Sequence, residues 1–464
     1  MATAEGRQVD MHAFDRESVF FGELFNGIAQ RGRRLLWRPH TQAALPTEGI
    51  AGLAKKLISS RGEASGVALA TDLLKAWRLL GSEARLEWFR TLATAFGPDE
   101  KQLEAAVEVW RSGHTAEAAS RLANASEPLR QELFRRINLA PGGTAALVAM
   151  RAELIRHLRQ APELEVVDRD FVHLFSSWFN RGFLMMTRID WSSPASILEK
   201  IIRYEAVHEI PGWDDLRRRL QPTDRRCFAF VHPQMPDEPL IFVEVALTSG
   251  TPASVDGLLA EDRSALDPAE ADTAVFYSIS NTQVGLKGIS FGNFLIKQVV
   301  EDLLRDLPNL RSFVTLSPIP GFADWLSRHR DNASPEEAKA LQLLDRPDWN
   351  ADAGAIETLE PVLTRAAAIY LVNMKDAATR PLDPVARFHL GNGARLERVN
   401  AGADLSPKGL RQSHGMMVNY LYDLPSIEAN HEAYANKGDV AASKAVRKLL
   451  VSDRLTRGQP ISHF

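Results

Sequence analysis

The run Gln283-Val284-Gly285-Leu286-Lys287-Gly288-Ile289-Ser290-Phe291-Gly292-Asn293 has the residue types to bind an anion. It follows a strand-like segment and opens a helix-like one. Glycines let a backbone turn tightly and expose successive N–H groups, and a helix start adds unpaired donors and the positive end of its dipole. Such a turn suits a pyrophosphate, although a plain strand-to-helix connection uses the same residues. It is not a Walker loop, which needs Gly-Lys-Ser/Thr at the helix start. Nor is it a Rossmann turn, because glycines 285, 288 and 292 follow what reads as a strand meander.

Two further residues carry reactive groups. Ser317, in Leu-Ser-Pro-Ile-Pro-Gly, follows the strand-like run Phe313–Leu316, so its hydroxyl should emerge at a strand's carboxyl end, where ligands of α/β domains bind. Pro318 and Pro320 fix the turn. Taken alone, Ser317 reads more readily as a turn cap before a short helix at 322–326. His389, between Phe388 and Leu390, reads alone as a satisfied core histidine. His232 and Glu244 lie on early strand-like runs and read as structural, and His414, before Gly415, as a surface loop. The sequence Asn373-Met374-Lys375-Asp376 is a faint echo of a biotinylation site, set in a helix.

The elements that must position these groups fall into two textures. Through about residue 165 the chain reads as helix after helix. Leu69, Leu73, Trp77 and Leu80 recur at helical spacing, as do Leu103, Val107 and Trp110, with Gly113 as a stop. Asn138–Gly143 breaks the pattern, and a further helix runs from about 144 to 159. From about 226 the signals become strands at 227–231, 240–247, 274–279 and 313–316, with a helix at about 290–307. Residues 335–372 return to helix, and 386–399 read as strand or loop.

The 464 residues exceed one ordinary domain of ~100–200 residues. Hydrophobic content of 45% with 25% charged residues indicates a globular chain, and a net charge of −4 gives no field toward nucleic acid or membrane. A single cysteine, Cys227, excludes an intrachain disulfide and any cysteine-based metal site, which suits a reducing cytoplasm. No run approaches the ~20 apolar residues of a membrane span, the polar start is unlike a leader, and the end is not a peroxisomal address.

Three segments together resemble malonyl-CoA decarboxylases: FYSISNTQVGLKGISFGNFLIK (276–297), LSPIPGFADWL (316–326) and DPVARFHLGNGA (383–394). Weaker similarity lies at LFSSWFNRGFL (174–184) and GMMVNYLY (415–422). The turn at 283–293 is also loosely similar to the acyl-CoA loop of the N-acetyltransferase superfold, Gln/Arg-x-x-Gly-x-Gly/Ala, which lies between a fourth strand and the next helix. The resemblance implies an α+β two-domain chain: an all-α helical bundle (1–168), then a GNAT-like mixed α/β catalytic domain (169–464). It implies decarboxylation of malonyl-CoA to acetyl-CoA and carbon dioxide with no cofactor and no metal. The implied catalytic pair is Ser317, orienting the carboxylate, and protonated His389, donating to the enolate. The implied CoA-contacting residues are Lys287, Gly288, Ile289, Ser290, Phe291, Gly292 and Asn293. Ser290 stands where a family member carries an acidic residue, so no carboxylate role transfers to it. A homo-oligomer, dimer or tetramer, through the helical half is expected. A CoA-dependent acyltransferase of the same superfold and a non-catalytic acyl-CoA sensor are the rival readings.

Overall fold

The computed structural model of the chain describes residues 49–289, 291 and 295–450. These gather into two compact units. One holds the described residues up to Met185 together with Val231–Glu238 and Gln283–Phe291; the other holds Met186–Phe230, Pro239–Thr282 and the remainder from Gly292.

The first unit is a helical bundle. Its helices are α1 (Gly49–Ser59), α2 (Glu63–Leu79), α3 (Ser82–Ala95), α4 (Glu100–Gly113), α5 (Ala116–Ser126), α6 (Leu129–Asn138), α7 (Gly143–His157) and α8 (Glu165–Trp178). Leu73 and Trp77 of the expected stripe on α2 are buried. The predicted break at 138–143 separates α6 from α7. The core is aromatic: Phe134 stacks on Phe171 at 4.1 Å, and Phe175 meets both Phe171 and Phe179 at 5.5 Å. A buried ion pair contributes to it. Arg130 on α6 donates to Asp170 on α8, and the Gln131 amide donates to the same carboxylate at 2.6 Å. His232 is structural, as expected. Its Nε2 lies 3.1 Å from the Trp178 carbonyl, its Nδ1 accepts the Gln234 N–H, and its ring packs on Phe179.

The second unit is built on a mixed sheet with helices against it. In chain order it contains β1 (Met185–Ile189), α9 (Ala195–Tyr204), α10 (Trp213–Leu220), β2 (Arg225–Val231), β3 (Ile241–Thr248), β4 (Thr273–Asn281), α11 (Leu295–Asp306), β5 (Ser312–Thr315) and β6 (Ser317–Pro318). Then follow α12 (Phe322–His329), α13 (Ala353–Val372), α14 (Pro384–Gly391), β7 (Arg395–Asn400), α15 (Pro407–Ser413), β8 (Met417–Leu421) and α16 (Ile427–Lys437). The sheet order is β1-β2-β3-β4-β5-β8-β6, with β7 also paired to β8. β2, β3 and β4 form the antiparallel meander expected from their short apolar runs, while β4 and β5, joined through α11, run parallel. That is the meander–turn–helix–parallel strand order of the expected fold class.

Apolar residues cover both sheet faces. Cys227, Ala229 and Phe242 pack with Leu198, Ile201, Leu216 and Leu220 of α9 and α10, and Val275, Tyr277, Val314 and Leu316 pack with Met417. Glu244 is fully buried on β3 and paired with Arg219 at 3.3 Å. Burial raises its carboxyl to about 8, so it favours the neutral form near pH 7. Its role is structural, as the sequence indicated.

Three local expectations need correction. Residues 386–399 are not one strand or loop. Asp383 caps and Pro384 opens a helix, α14, and only Arg395–Asn400 is strand. Asn373–Asp376 is not helical, because α13 ends at Val372 and Lys375 bridges to Pro381. His414 is half-buried rather than on a surface loop, and it closes α15 in the left-handed conformation.

The pair Arg130–Asp170 yields a stability prediction. Removing one partner strands a buried charge, so Asp170→Ala should cost about 3–5 kcal/mol in denaturant unfolding. A midpoint within experimental error of the parent would show that the pair contributes nothing.

Candidate active site

Ser317 and His389 meet although the chain between them is long. β5 ends at Thr315, and Leu316 then leads into the two-residue strand β6, whose Ser317 pairs with Val418 of β8. His389 lies in the last turn of α14, whose first turn is set by Asp383. The Asp383 carboxylate accepts the N–H groups of Val385 and Ala386, each at 2.9 Å. Ser317 Oγ stands 3.0 Å from His389 Nε2, and both residues are buried.

The contacts extend on both sides of this pair. Ser317 Oγ donates to Thr315 Oγ1 at 2.9 Å, and the Tyr420 N–H donates to the same Thr315 oxygen at 3.1 Å. His389 Nδ1 lies 2.8 Å from the Tyr422 hydroxyl. The Tyr420 ring stacks on the imidazole with centroids 4.6 Å apart, and Phe388 meets it edge-on at 5.1 Å. With the serine proton on Thr315, Nε2 carries a hydrogen toward Ser317 Oγ and Nδ1 accepts from Tyr422. The imidazole is therefore held at both nitrogens and on one face.

Burial governs its charge. Desolvation pushes His389 down to about 3, since an imidazolium loses hydration in a dry site. Burial therefore disfavours the charged ring in the chain by itself, so the proton that His389 is expected to donate has to be gained when substrate is present. The same burial moves the Tyr422 hydroxyl upward, so it stays a neutral donor. Asp383, also fully buried, is raised to about 6 by desolvation, opposed by N–H groups of Ala386, Val385 and Gly321.

Of the expected substrate-contacting residues, Lys287, Gly288, Ile289 and Phe291 are described, whereas Ser290, Gly292 and Asn293 lie outside the described residues. A single 3-10 turn spans Val284–Leu286, and Gly288 has φ +81°, which favours glycine. Lys287 and Gly288 are exposed; Gly285, Leu286 and Ile289 are buried. No group of three or more His, Cys, Asp or Glu side chains that could hold a metal occurs among the described residues.

The comparisons with known proteins agree with one another over most of the chain. Residues 182–459 match the family model for the malonyl-CoA decarboxylase C-terminal domain, and 96–179 match the N-terminal domain. This chain belongs to the malonyl-CoA decarboxylase family. The mitochondrial malonyl-CoA decarboxylase of Anser anser anser is 36% identical over 402 residues, covering 78% of this chain and 79% of that protein. The mitochondrial enzyme of Mus musculus is 34% identical over 413 residues, 80% and 83% of the two chains. Among solved structures, the malonyl-CoA decarboxylase of Rhodopseudomonas palustris has 57% identity and a TM-score of 0.83 over 86% of this chain and 98% of its own. That of Agrobacterium vitis has 54% identity and a TM-score of 0.83 over 87% and 100%. Family membership agrees with the segments singled out in the sequence, including those that hold Ser317 and His389.

Sequence reasoning missed Thr315, Tyr420, Tyr422 and Asp383. The cap signal Asp383-Pro384 was present and would have placed His389 on a helix. Nothing local marked Tyr422, which depends on β8 pairing beside β5 and β6.

The buried imidazole gives a titration prediction. In the protein without substrate, NMR of the His389 ring should show the neutral form down to below pH 5, because its pKa is depressed. A malonyl-CoA analogue that cannot lose its carboxylate should move that titration upward. A free-protein titration near ~6.5, the unperturbed value, would contradict the burial argument.

Proposed function

We propose that this chain converts malonyl-CoA to acetyl-CoA and carbon dioxide, with Ser317 and His389 as its catalytic residues. Family membership supports the reaction, and the buried Ser317–His389 hydrogen bond supports the assignment of roles.

The chemistry needs little beyond placement. When the bond between the α-carbon and the carboxylate breaks, its electron pair stays on the α-carbon and delocalises into the thioester carbonyl. The substrate thus carries its own electron sink. The protein has to hold the breaking bond perpendicular to the thioester plane, stabilise the enolate oxygen and return one proton to carbon. Ser317 holds the carboxylate in that orientation. The negative charge brought beside the imidazole opposes the desolvation that keeps it neutral, so His389 gains a proton in the complex. It then delivers that proton to the α-carbon, a contribution of ~10²–10⁴-fold. Tyr422 and the Tyr420 ring keep the imidazole from turning away.

The turn at 287–293 anchors the phosphates of CoA in this reading. Residues 1–168 form the association half, and 169–464 the catalytic one. Exposed Leu79, Val109, Leu129 and Leu139 on the helical unit favour a homo-oligomer, dimer or tetramer, there. A cytoplasmic site suits the lone, buried Cys227, although curated relatives carry mitochondrial names. No described helix is long and apolar enough to cross a membrane.

The test is direct. Purified protein mixed with malonyl-CoA in chelator should release acetyl-CoA and carbon dioxide in equal amounts. Ser317→Ala should lose roughly 10²-fold or more in turnover, the scale of a positioned polar group. Malonyl-CoA left intact by the parent would refute the activity, and parental turnover in Ser317→Ala would reduce the serine to a turn cap.

A further inference from the structure

Helix α7 carries a buried arginine that reaches the glycine turn. The Arg151 side chain is 4% exposed. Its Nη1 donates to the carbonyl of Gly285 at 2.8 Å and to that of Lys287 at 2.9 Å. Its Nε donates to Asp168 on α8 at 2.8 Å, with Nη2 3.4 Å from the second carboxylate oxygen. The turn also presses on the same helix, since a Cβ added at Gly285 would overlap the Val148 carbonyl. All these residues belong to the helical unit.

Peptide planarity gives the clamp a consequence. In a trans peptide the C=O and the next N–H point in opposite directions. Drawing the Lys287 carbonyl onto Arg151 turns the Gly288 N–H the other way, at the position where Lys287 and Gly288 are exposed. The carboxylate of Asp168 fixes the fork of the guanidinium, and a planar fork can serve two carbonyls where an ammonium cannot do so with the same geometry. A buried charge tied to a ligand-facing turn is a costly way to build a plain connection.

We propose that Arg151 and Asp168 are positioning residues for substrate binding, holding the turn at 285–288 in the shape that receives the CoA phosphates. The helical half thereby sets the affinity for the nucleotide portion of the substrate. This rests on the reading of that turn as the CoA anchor.

The experiment compares malonyl-CoA with malonyl-pantetheine, which keeps the thioester and carboxylate but lacks the nucleotide and its phosphates. In Arg151→Gln, KM for malonyl-CoA should rise roughly tenfold or more with kcat within about twofold, and kcat/KM for malonyl-pantetheine should hold. Arg151→Lys should recover part of the loss, and the milder Asp168→Asn should show the same split if Arg151→Gln does not fold. An unchanged KM, or an equal loss on both substrates, would overturn the proposal. Lys287→Glu separates the two layers. If it raises KM for malonyl-CoA alone while Arg151→Gln does not, only the clamp fails. If neither variant does, the anchoring role of the turn fails with it.

Discussion

An imidazole sealed from water and held at both nitrogens is the constraint around which the catalytic unit is arranged. Ser317 takes one side of His389 and Tyr422 the other, while Tyr420 covers a face. Burial makes the neutral ring the resting form, so the site is poised to gain a proton only when a negative charge arrives beside it. A substrate that enters with a carboxylate, and becomes an enolate, supplies that charge at the moment it is needed.

The sheet explains how such a site is assembled from distant pieces. β8 touches β5, β6 and β7, so one strand brings Tyr420 and the following Tyr422 beside Thr315 and Ser317. The His389 helix owes its start to Asp383, a carboxylate without exposed surface that is used for local hydrogen bonding. Short elements do this well. A helix of eight residues ending just after His389 leaves the imidazole little freedom.

Much of this was legible in the chain. Short β-branched and aromatic-rich runs placed β2 to β5, because a strand buried on both faces reads as a continuous apolar run. Helical spacing placed the bundle, because it reflects burial of one face. The glycine turn was recognisable from residue types alone. Ser317 and His389 were not, since a serine after a strand and a histidine in an apolar run have common structural uses; the family resemblance singled them out. Residues 386–399 were misread because an eight-residue helix offers barely two turns of periodicity, even though Asp383-Pro384 announced it. Tyr422 and Arg151 were invisible for a different reason. Their partners come from β8 pairing and from a helix packed on the turn, and neither long-range arrangement leaves a local trace.

The central claim is that His389 returns the proton to carbon. The most direct measurement is the turnover number of His389→Asn on malonyl-CoA, read beside its affinity for CoA. The account requires turnover to collapse by ~10²–10⁴-fold while CoA affinity stays near parental. Turnover unaltered in that variant, with binding intact, would remove the imidazole from the chemistry.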